Sequence, residues 1–196
     1  MDPMRVVAIV LAAGEGRRMG GPKALLPLGD GTFLSRACDL FARAGVASVV
    51  VVLGAEAERV RAQAGIPAAA TVAVNDRWRD GMLTSVWAGL DAAEGQGADA
   101  VLLHPVDHPL VDPATIDRVL GALRSAAAIA VPTWGGRRGH PGGFQSTVFA
   151  ALRAASPDRG ARAVLAEDPG RVVHVTGDPG CVTGIDTPED YRRALS

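Results

Sequence analysis

Aromatic residues and cysteines are scarce in this chain, and each scarcity limits the kind of protein it can be. Phe, Trp and Tyr together make up only 4% of the 196 residues, so the core must consist mainly of Val, Leu, Ile and Ala. The two cysteines, Cys38 and Cys181, lie far apart without metal-type spacing. They can form one disulfide or, as we expect in a reducing cytoplasm, remain two free thiols.

The chain also lacks long apolar runs and an excess of either charge. Its longest apolar runs, Val6–Ala13 and Val46–Leu53, are too short to span a bilayer. The first run leads into a charged loop, which is not typical of a signal peptide. The 20 basic and 21 acidic residues give a net charge of −1, and no basic stripe suits nucleic acid. We therefore expect a soluble, cytoplasmic protein that binds neither membrane nor nucleic acid.

What the sequence does contain is the composition of a globular domain, with 48% hydrophobic and 21% charged residues. The length suits one domain over residues 1–196. The predicted strands are Val6–Leu11, Val49–Leu53, Thr71–Val74, Ala100–His104, Ile129–Pro132 and Val172–Val175. The predicted helices are Leu34–Ala44, Glu56–Ala64, Leu83–Ala93, Asp112–Ser125, Val148–Ala155, Ala161–Glu167 and Pro188–Leu195, with a loop at Trp134–Gly143. This alternation predicts a three-layer α/β/α domain with a mostly parallel sheet.

The first predicted strand ends in a loop that is rich in glycine and in positive charge. From Leu11 to Lys23 the sequence reads LAAGEGRRMGGPK. Its four glycines allow backbone amides to approach a phosphate closely. Arg17, Arg18 and Lys23 add cations that suit a triphosphate. Because ligands of open α/β sheets bind beyond the carboxyl ends of strands, we interpret this loop as a nucleotide site; the alternative is a glycine-rich turn with solvated arginines.

Two common phosphate-binding motifs do not fit this loop. A Walker motif needs Gly-Lys-Ser/Thr, whereas Lys23 follows Pro22 and precedes Ala24. The dinucleotide fingerprint GxGxxG needs a third glycine where Met19 stands, and the acidic residue expected after the second strand is also missing. Both absences count against a flavin- or NAD-dependent oxidoreductase.

The loop resembles the signature of the nucleotidyltransferases of the molybdenum-cofactor cytidylyl- and guanylyltransferase type. Methylerythritol-phosphate cytidylyltransferases and sugar-phosphate nucleotidyltransferases are more distant relatives. The resemblance implies a nucleotide-diphospho-sugar transferase-like (Rossmann-like) fold. The nucleotide-binding residues implied for the loop are Leu11, Ala12, Ala13, Gly14, Gly16, Arg17 and Lys23. The catalytic residues implied are Arg18, Lys23 and Asp107.

Two aspartates are candidate metal ligands. Asp107 follows the fourth predicted strand between two prolines, and a carboxylate held there suits Mg²⁺; the alternative is an aspartate that starts a turn. Asp186 precedes Thr187-Pro188, a helix start that accounts for Thr187 but not for Asp186. The resemblance implies that both aspartates bind the metal, although many relatives carry a further Asp where this chain has Gly184.

The histidines suggest a competing metal site, which we reject. His104 and His108 are four residues apart, but the proline after each of them prevents a helix that would align them. No further ligands follow at a recognisable spacing, so zinc is not expected. We interpret both as surface or packing residues, and His174 as an ordinary strand residue.

Two further segments are candidate base and acceptor sites. The residues from Gly81 to Ser85 resemble the Gly-Met-x-x-Ser element of the cofactor cytidylyltransferases, which implies that Gly81 and Ser85 bind the base; a plain helix start is the alternative. In the glycine-rich loop from Arg137 to Phe144, the resemblance places Gly139, His140 and Pro141 on the acceptor side. An ordinary surface loop is the alternative there.

The resemblance implies transfer of a nucleoside monophosphate to an acceptor phosphate, with Mg²⁺ as cofactor and pyrophosphate as product. Ala13 favours CTP, because cytidylyl-transferring members read LAAG where guanylyl-transferring members read LAGG. Molybdopterin is the expected acceptor, with a molybdenum hydroxylase or its maturation chaperone as a possible partner. The alternatives are a guanylyltransferase, a sugar- or polyol-phosphate nucleotidyltransferase, a flavin- or NAD-dependent oxidoreductase, and a non-catalytic cofactor carrier.

Overall fold

The longest apolar runs form the central strands of one sheet. The computed structural model describes residues 3–156, 160–167 and 169–195. Strand β1 (Val6–Ala12) lies between β4 (Ser48–Leu53) and β6 (Ala100–Pro105), parallel to both. Every residue of β1 is buried, as expected for a parallel strand covered on both faces.

Among the described residues there are seven further strands, and five of them extend this sheet on both sides. The seven are β2 (Pro27–Leu28), β3 (Gly31–Thr32), β5 (Thr71–Val74), β7 (Ile129–Trp134), β8 (Arg137–Arg138), β9 (Gly142–Gln145) and β10 (Val172–Thr176). The order of the main sheet is β10-β7-β9-β6-β1-β4-β5, and β8 pairs with β7. Only β8 and β9 run antiparallel to their neighbours in this sheet, while β2 and β3 form a separate hairpin.

Seven α-helices cover the sheet within the described ranges. They are α1 (Phe33–Arg43), α2 (Ala57–Gln63), α3 (Met82–Glu94), α4 (Pro113–Arg124), α5 (Phe149–Ala154), α6 (Arg162–Glu167) and α7 (Pro188–Leu195). Short 3₁₀ turns precede or connect several of them. Helices α1, α2, α4 and α7 share one core cluster, and α3, α5 and α6 share the other. The side chains of β1 alternate between the two clusters, which is the period expected of a strand.

Helix α3 packs closely against the sheet at Gly89. A Cβ atom built there would lie 2.4 Å from Ile9 Cγ2 and 3.2 Å from Val52 Cγ2. Only glycine therefore permits this approach, and it brings the first turn of α3 near the ends of β1 and β4.

The observed fold confirms the predicted three-layer α/β/α architecture, and the predicted strands and helices are all present with small shifts at their ends. The loop predicted at Trp134–Gly143 is wrong, because this stretch contains β8 and the start of β9. Gly142 and Gly143 carry no strand signal, yet a Cβ atom at Gly143 would lie 2.8 Å from Val119 Cγ1. The glycine lets α4 pack directly on this strand. The β2–β3 hairpin was not predicted either.

Both cysteines are free and buried, as the sequence led us to expect. No helix among the described residues has both the length and the apolar character needed to cross a bilayer.

Candidate functional site

The loop after β1 folds back on itself through its glycines. Gly16 has φ 63° and Gly20 has φ 75°, both in the left-handed region. The Gly16 carbonyl accepts hydrogen bonds from the amides of Met19 (2.8 Å) and Gly21 (3.3 Å). A Cβ atom at Gly16 would lie 1.9 Å from the Gly21 oxygen, so this compact turn requires glycine there.

A cavity of about 230 Å³ opens between this loop and the ends of β1 and β6. Seven residues predicted to bind the nucleotide line it: Leu11, Ala12, Ala13, Gly14, Gly16, Lys23 and Ser85. The predicted metal ligand Asp107 lines it as well. Its other lining residues are Ala24, Trp78, Met82, Pro105 and Val106. The parallel strands explain this convergence, because Leu11 pairs with Val52 on one side and with Pro105 on the other. Their carboxyl ends therefore meet at one edge of the sheet.

The three cations of the loop take different positions. The Lys23 side chain is only 16% exposed, and its Nζ donates to Asp107 Oδ2 at 2.9 Å and to Asp186 Oδ1 at 2.5 Å. Arg18 is largely exposed and lies 3.4 Å from Asp186 Oδ1. Arg17 is exposed and pairs with Glu15. Lys23 is therefore the loop cation that contacts both predicted metal ligands, and neither arginine lines the cavity.

The two aspartates are brought together by a backbone contact. The Ile185 amide donates to the Asp107 carbonyl at 2.8 Å, which places Asp186 beside the turn after β6. Asp190 accepts from the Thr187 amide at 2.9 Å, and its own amide donates to Thr187 Oγ1 at 3.2 Å. These two reciprocal hydrogen bonds form a capping box at the start of α7, which holds the segment that carries Asp186.

The electrostatics keep Asp107 and Lys23 ionised. Burial would raise the pKa of Asp107, but the hydrogen bond from His108 and the positive charge of Lys23 outweigh it and hold the pKa well below its usual range. Burial lowers the pKa of Lys23, yet the hydrogen bond to Asp186 and the charge of Asp107 more than compensate and raise it. The Lys23 ammonium thus lies between the side chains of Asp107 and Asp186.

The donor set fits a hard divalent cation that is held jointly with a nucleotide. Asp107 Oδ2 and Asp186 Oδ1 both approach the position of the Lys23 ammonium. Carboxylate oxygens are ligands that such ions prefer, together with water and phosphate oxygens. Within the described ranges no group of three or more His, Cys, Asp or Glu side chains forms a metal site. Water and the phosphate oxygens of a bound nucleotide would supply the further ligands.

The segment predicted to bind the base lies at the start of α3. The Asn75 side-chain amide donates to Thr84 Oγ1 at 2.8 Å and to Ser85 Oγ at 2.9 Å. Thr84 Oγ1 in turn contacts the carbonyls of Arg77 and Gly81, so its proton is used within the protein. Ser85 is buried and lines the cavity. Gly81 has φ 113° at the start of α3 but does not line the cavity.

The predicted acceptor residues lie beside the carboxylate cluster but do not line the cavity. The backbone amide of Gly139 donates to the Pro132 carbonyl at 2.7 Å, and the backbone amide of His140 donates to the Cys181 carbonyl at 2.8 Å. The His140 ring packs against the ring of His108, with centroids 4.7 Å apart. Burial lowers the pKa of His140 to about 4. Pro141 is buried between His140 and the start of β9.

Several residues of this site were not predicted from the sequence. His108 was interpreted as a surface or packing residue, but its Nδ1 lies 2.9 Å from Asp107 Oδ1. Asn75 and Trp78 were given no role. Their position directly after β5 was an available signal, since the ends of parallel strands share one edge of the sheet. His104 is a packing residue, fully buried against Phe41.

Comparison with known proteins places this geometry in a family. Residues 8–172 match the family described as "MobA-like NTP transferase domain". The nicotine blue oxidoreductase of Paenarthrobacter nicotinovorans is 36% identical over 97% of this chain and 96% of that protein. A 2-C-methyl-D-erythritol 4-phosphate cytidylyltransferase of Cereibacter sphaeroides is 38% identical over 79% of this chain and 72% of that protein. The molybdenum cofactor guanylyltransferase of Rhodobacter capsulatus is 30% identical over 97% of this chain and 95% of that protein.

Solved structures agree with this assignment. The chain resembles Rv0371c from Mycobacterium tuberculosis H37Rv with a TM-score of 0.86 and 33% identity, over 98% of both chains. A structure of that protein in complex with manganese matches with a TM-score of 0.75, 31% identity and the same coverage. The resemblance seen in the loop after β1 is therefore confirmed across nearly the whole chain, and the protein belongs to the MobA-like NTP transferase family.

Proposed function

We propose that this protein transfers CMP from CTP to a small phosphorylated acceptor and releases pyrophosphate, with Mg²⁺ as cofactor. The observation that carries the proposal is the position of Lys23. It connects the glycine-rich loop to Asp107 and Asp186 at the edge of a cavity that most of the predicted nucleotide-binding residues line. A phosphate bound by that loop would lie beside a cation and beside two carboxylates able to hold a metal.

The chemistry asks little of the protein beyond positioning and charge. An oxygen of the acceptor phosphate attacks the α-phosphorus of the nucleotide, and the bond from that phosphorus to the oxygen of the β-phosphate breaks. The acceptor phosphate is already anionic near neutral pH, so no dedicated general base is needed. Asp107 and Asp186 would hold the metal, whose positive charge would neutralise the charge of the phosphates. Lys23 and Arg18 stabilise charge that develops on the phosphates.

The preference for CTP rests on Ala13, which lines the cavity. Ala13 packs closely against Gly54, where an added Cβ atom would lie 2.8 Å from Ala13 Cβ and 2.7 Å from Trp78 Cβ. The cytidylyltransferase named among the relatives supports the same base, whereas the guanylyltransferase supports GTP. GTP is therefore the alternative that a nucleotide panel must address.

Molybdopterin is the acceptor that we propose, bound near Gly139, His140 and Pro141. The support is the relative named molybdenum cofactor guanylyltransferase, which this chain matches over nearly its whole length. On this hypothesis the product serves a molybdenum hydroxylase or its maturation chaperone in the cytoplasm. Sugar or polyol phosphates are the alternative acceptors, because similar scaffolds handle them.

An assay of pyrophosphate release tests the proposal. CTP, GTP, ATP and UTP are each supplied with Mg²⁺ and with molybdopterin, 2-C-methyl-D-erythritol 4-phosphate or a sugar phosphate. We expect release with CTP and molybdopterin, and its loss in the Asp107→Asn variant. The matched control is Asp117→Asn, which changes an exposed aspartate of α4 and should leave the rate unchanged. Absence of release with every pair, or full activity of Asp107→Asn, would contradict the proposal.

An oxidoreductase is the second candidate, because a relative that matches 97% of this chain is named nicotine blue oxidoreductase. The loop after β1 argues against it, since it lacks the GxGxxG glycine at Met19. An assay with nicotine blue as the oxidant distinguishes the two activities. In this assay the oxidation of NADH or NADPH is monitored by absorbance. A reductase would show turnover there without nucleoside triphosphate. Binding of CTP and Mg²⁺ without turnover in either assay would instead support a cofactor carrier.

A further inference from the structure

The His108 ring is held against the Asp107 carboxylate. Its Nδ1 lies 2.9 Å from Asp107 Oδ1, and the side chain is 16% exposed. Because an ionised carboxylate only accepts hydrogen bonds, Nδ1 carries the proton. The other oxygen, Asp107 Oδ2, accepts from Lys23 at 2.9 Å. Each carboxylate oxygen thus has its own donor, and together the two donors define the orientation of the group.

The ring is also confined by its neighbours. The His140 ring packs edge-on against it, at 4.7 Å and 67° between the planes. On another side lies Gly184, where a Cβ atom would be 3.3 Å from His108 Cε1 and 3.5 Å from His108 Nε2. A side chain at position 184 would therefore crowd the ring. The backbone of His108 is fixed as well, because its amide donates to the Pro105 carbonyl at 3.2 Å.

We propose that His108 is a positioning residue, which holds Asp107 so that Oδ2 faces Lys23 and the place where metal and phosphate bind. This inference rests on the proposed function, because it assigns His108 to the same metal site. His108 acts through Asp107 and touches neither metal nor substrate. Such partners of metal ligands characteristically change metal affinity about 10- to 100-fold when they are removed.

A pair of substitutions separates the hydrogen bond from the bulk of the ring. His108→Leu keeps an apolar side chain of similar size but removes the donor. His108→Asn places an amide nitrogen near the position of Nδ1 and so keeps a donor for Asp107 Oδ1. If His108 only fills space, His108→Leu should be tolerated better than His108→Asn. A positioning role predicts the opposite order.

The experiment is a titration of Mn²⁺ in the presence of CTP, with free Mn²⁺ followed by its electron paramagnetic resonance signal. We expect His108→Leu to weaken Mn²⁺ binding about 10- to 100-fold, and His108→Asn to stay within about threefold of wild type. His174→Asn, an exposed histidine of β10, is the matched control and should match wild type. Thermal melting of each variant verifies that it is folded.

The outcomes separate this inference from the proposed function. If Asp107→Asn binds Mn²⁺ as wild type does, the proposed metal site itself is wrong. If Asp107→Asn loses Mn²⁺ but His108→Leu does not, or if His108→Asn is as weak as His108→Leu, only the role of His108 is overturned. Should His108→Leu fail to fold, the ¹⁵N spectrum of the wild-type imidazole decides. A proton on Nδ1 supports the role, and a ring protonated on Nε2 alone refutes it.

Discussion

Replacing His104 with leucine should change how the stability of this protein depends on pH. His104 is fully buried, packs edge-on against Phe41 at 5.2 Å, and has no hydrogen-bond partner for either ring nitrogen within the described ranges. Burial, which disfavours the charged ring, lowers its pKa from 6.5 to about 3. The native protein therefore keeps His104 neutral at pH values where the unfolded chain binds a proton.

The sign of the effect follows from this difference. Below pH 6.5 the unfolded state binds one proton more than the native state, so stability falls as the pH falls, until the native ring also protonates near pH 3. Between pH 7 and pH 5 this linkage costs about 2 kcal/mol for His104. His140, with a pKa lowered to about 4, adds a cost of about the same size over that interval. The lowered pKa of Asp107 acts below this window, because aspartate ordinarily titrates near pH 4.

The assay is urea unfolding at pH 7, 6 and 5, followed by the fluorescence of the three tryptophans. We expect wild type to lose about 4 kcal/mol of unfolding free energy between pH 7 and pH 5, and His104→Leu to lose about 2 kcal/mol. Any change in packing shifts all three values of the variant equally and leaves the slope intact. His174→Gln, at an exposed site, should retain the wild-type slope. Parallel profiles of wild type and His104→Leu would refute the reasoning.

Three further substitutions test the site and the core. In the absence of nucleotide, Lys23→Met should bind Mn²⁺ more tightly than wild type, because the ammonium no longer competes for Asp107 Oδ2. Calorimetric titration measures this affinity, and an unchanged affinity would contradict the prediction. The same variant should lose about 10²- to 10³-fold in CTP turnover. Gly16→Ala places a Cβ atom 1.9 Å from the Gly21 oxygen, so a thermal-shift screen should show no stabilisation by CTP, and wild-type binding would exclude a role for this turn. Gly89→Ala should cost about 1–3 kcal/mol of unfolding free energy through contact with Ile9; a neutral result in urea unfolding would show that α3 can move away from the sheet.

Local patterns were sufficient for most of the fold and for part of the site. The apolar runs of β1, β4 and β6 are strong strand signals, because strands buried on both faces need continuous Val, Ile and Leu. The turn after β1 was recognisable from its glycines and cations alone. Local patterns failed at β9, whose Gly142-Gly143 start has no strand propensity. Its place in the sheet depends on contacts with α4, which are remote in sequence.

The sequence by itself determined the alternation of strands and helices, the glycine turn after β1, and the family to which the chain belongs. These depend on neighbouring residues, and short-range sterics and hydrophobic periodicity control them. Only the tertiary structure decided that Lys23 lies between Asp107 and Asp186, 84 and 163 positions away, and that the His108 ring lies against the Asp107 carboxylate. Such contacts depend on the order of the strands in the sheet and on the backbone bond from Ile185 to Asp107. No local pattern carries that order, because it is set by the packing of the whole chain.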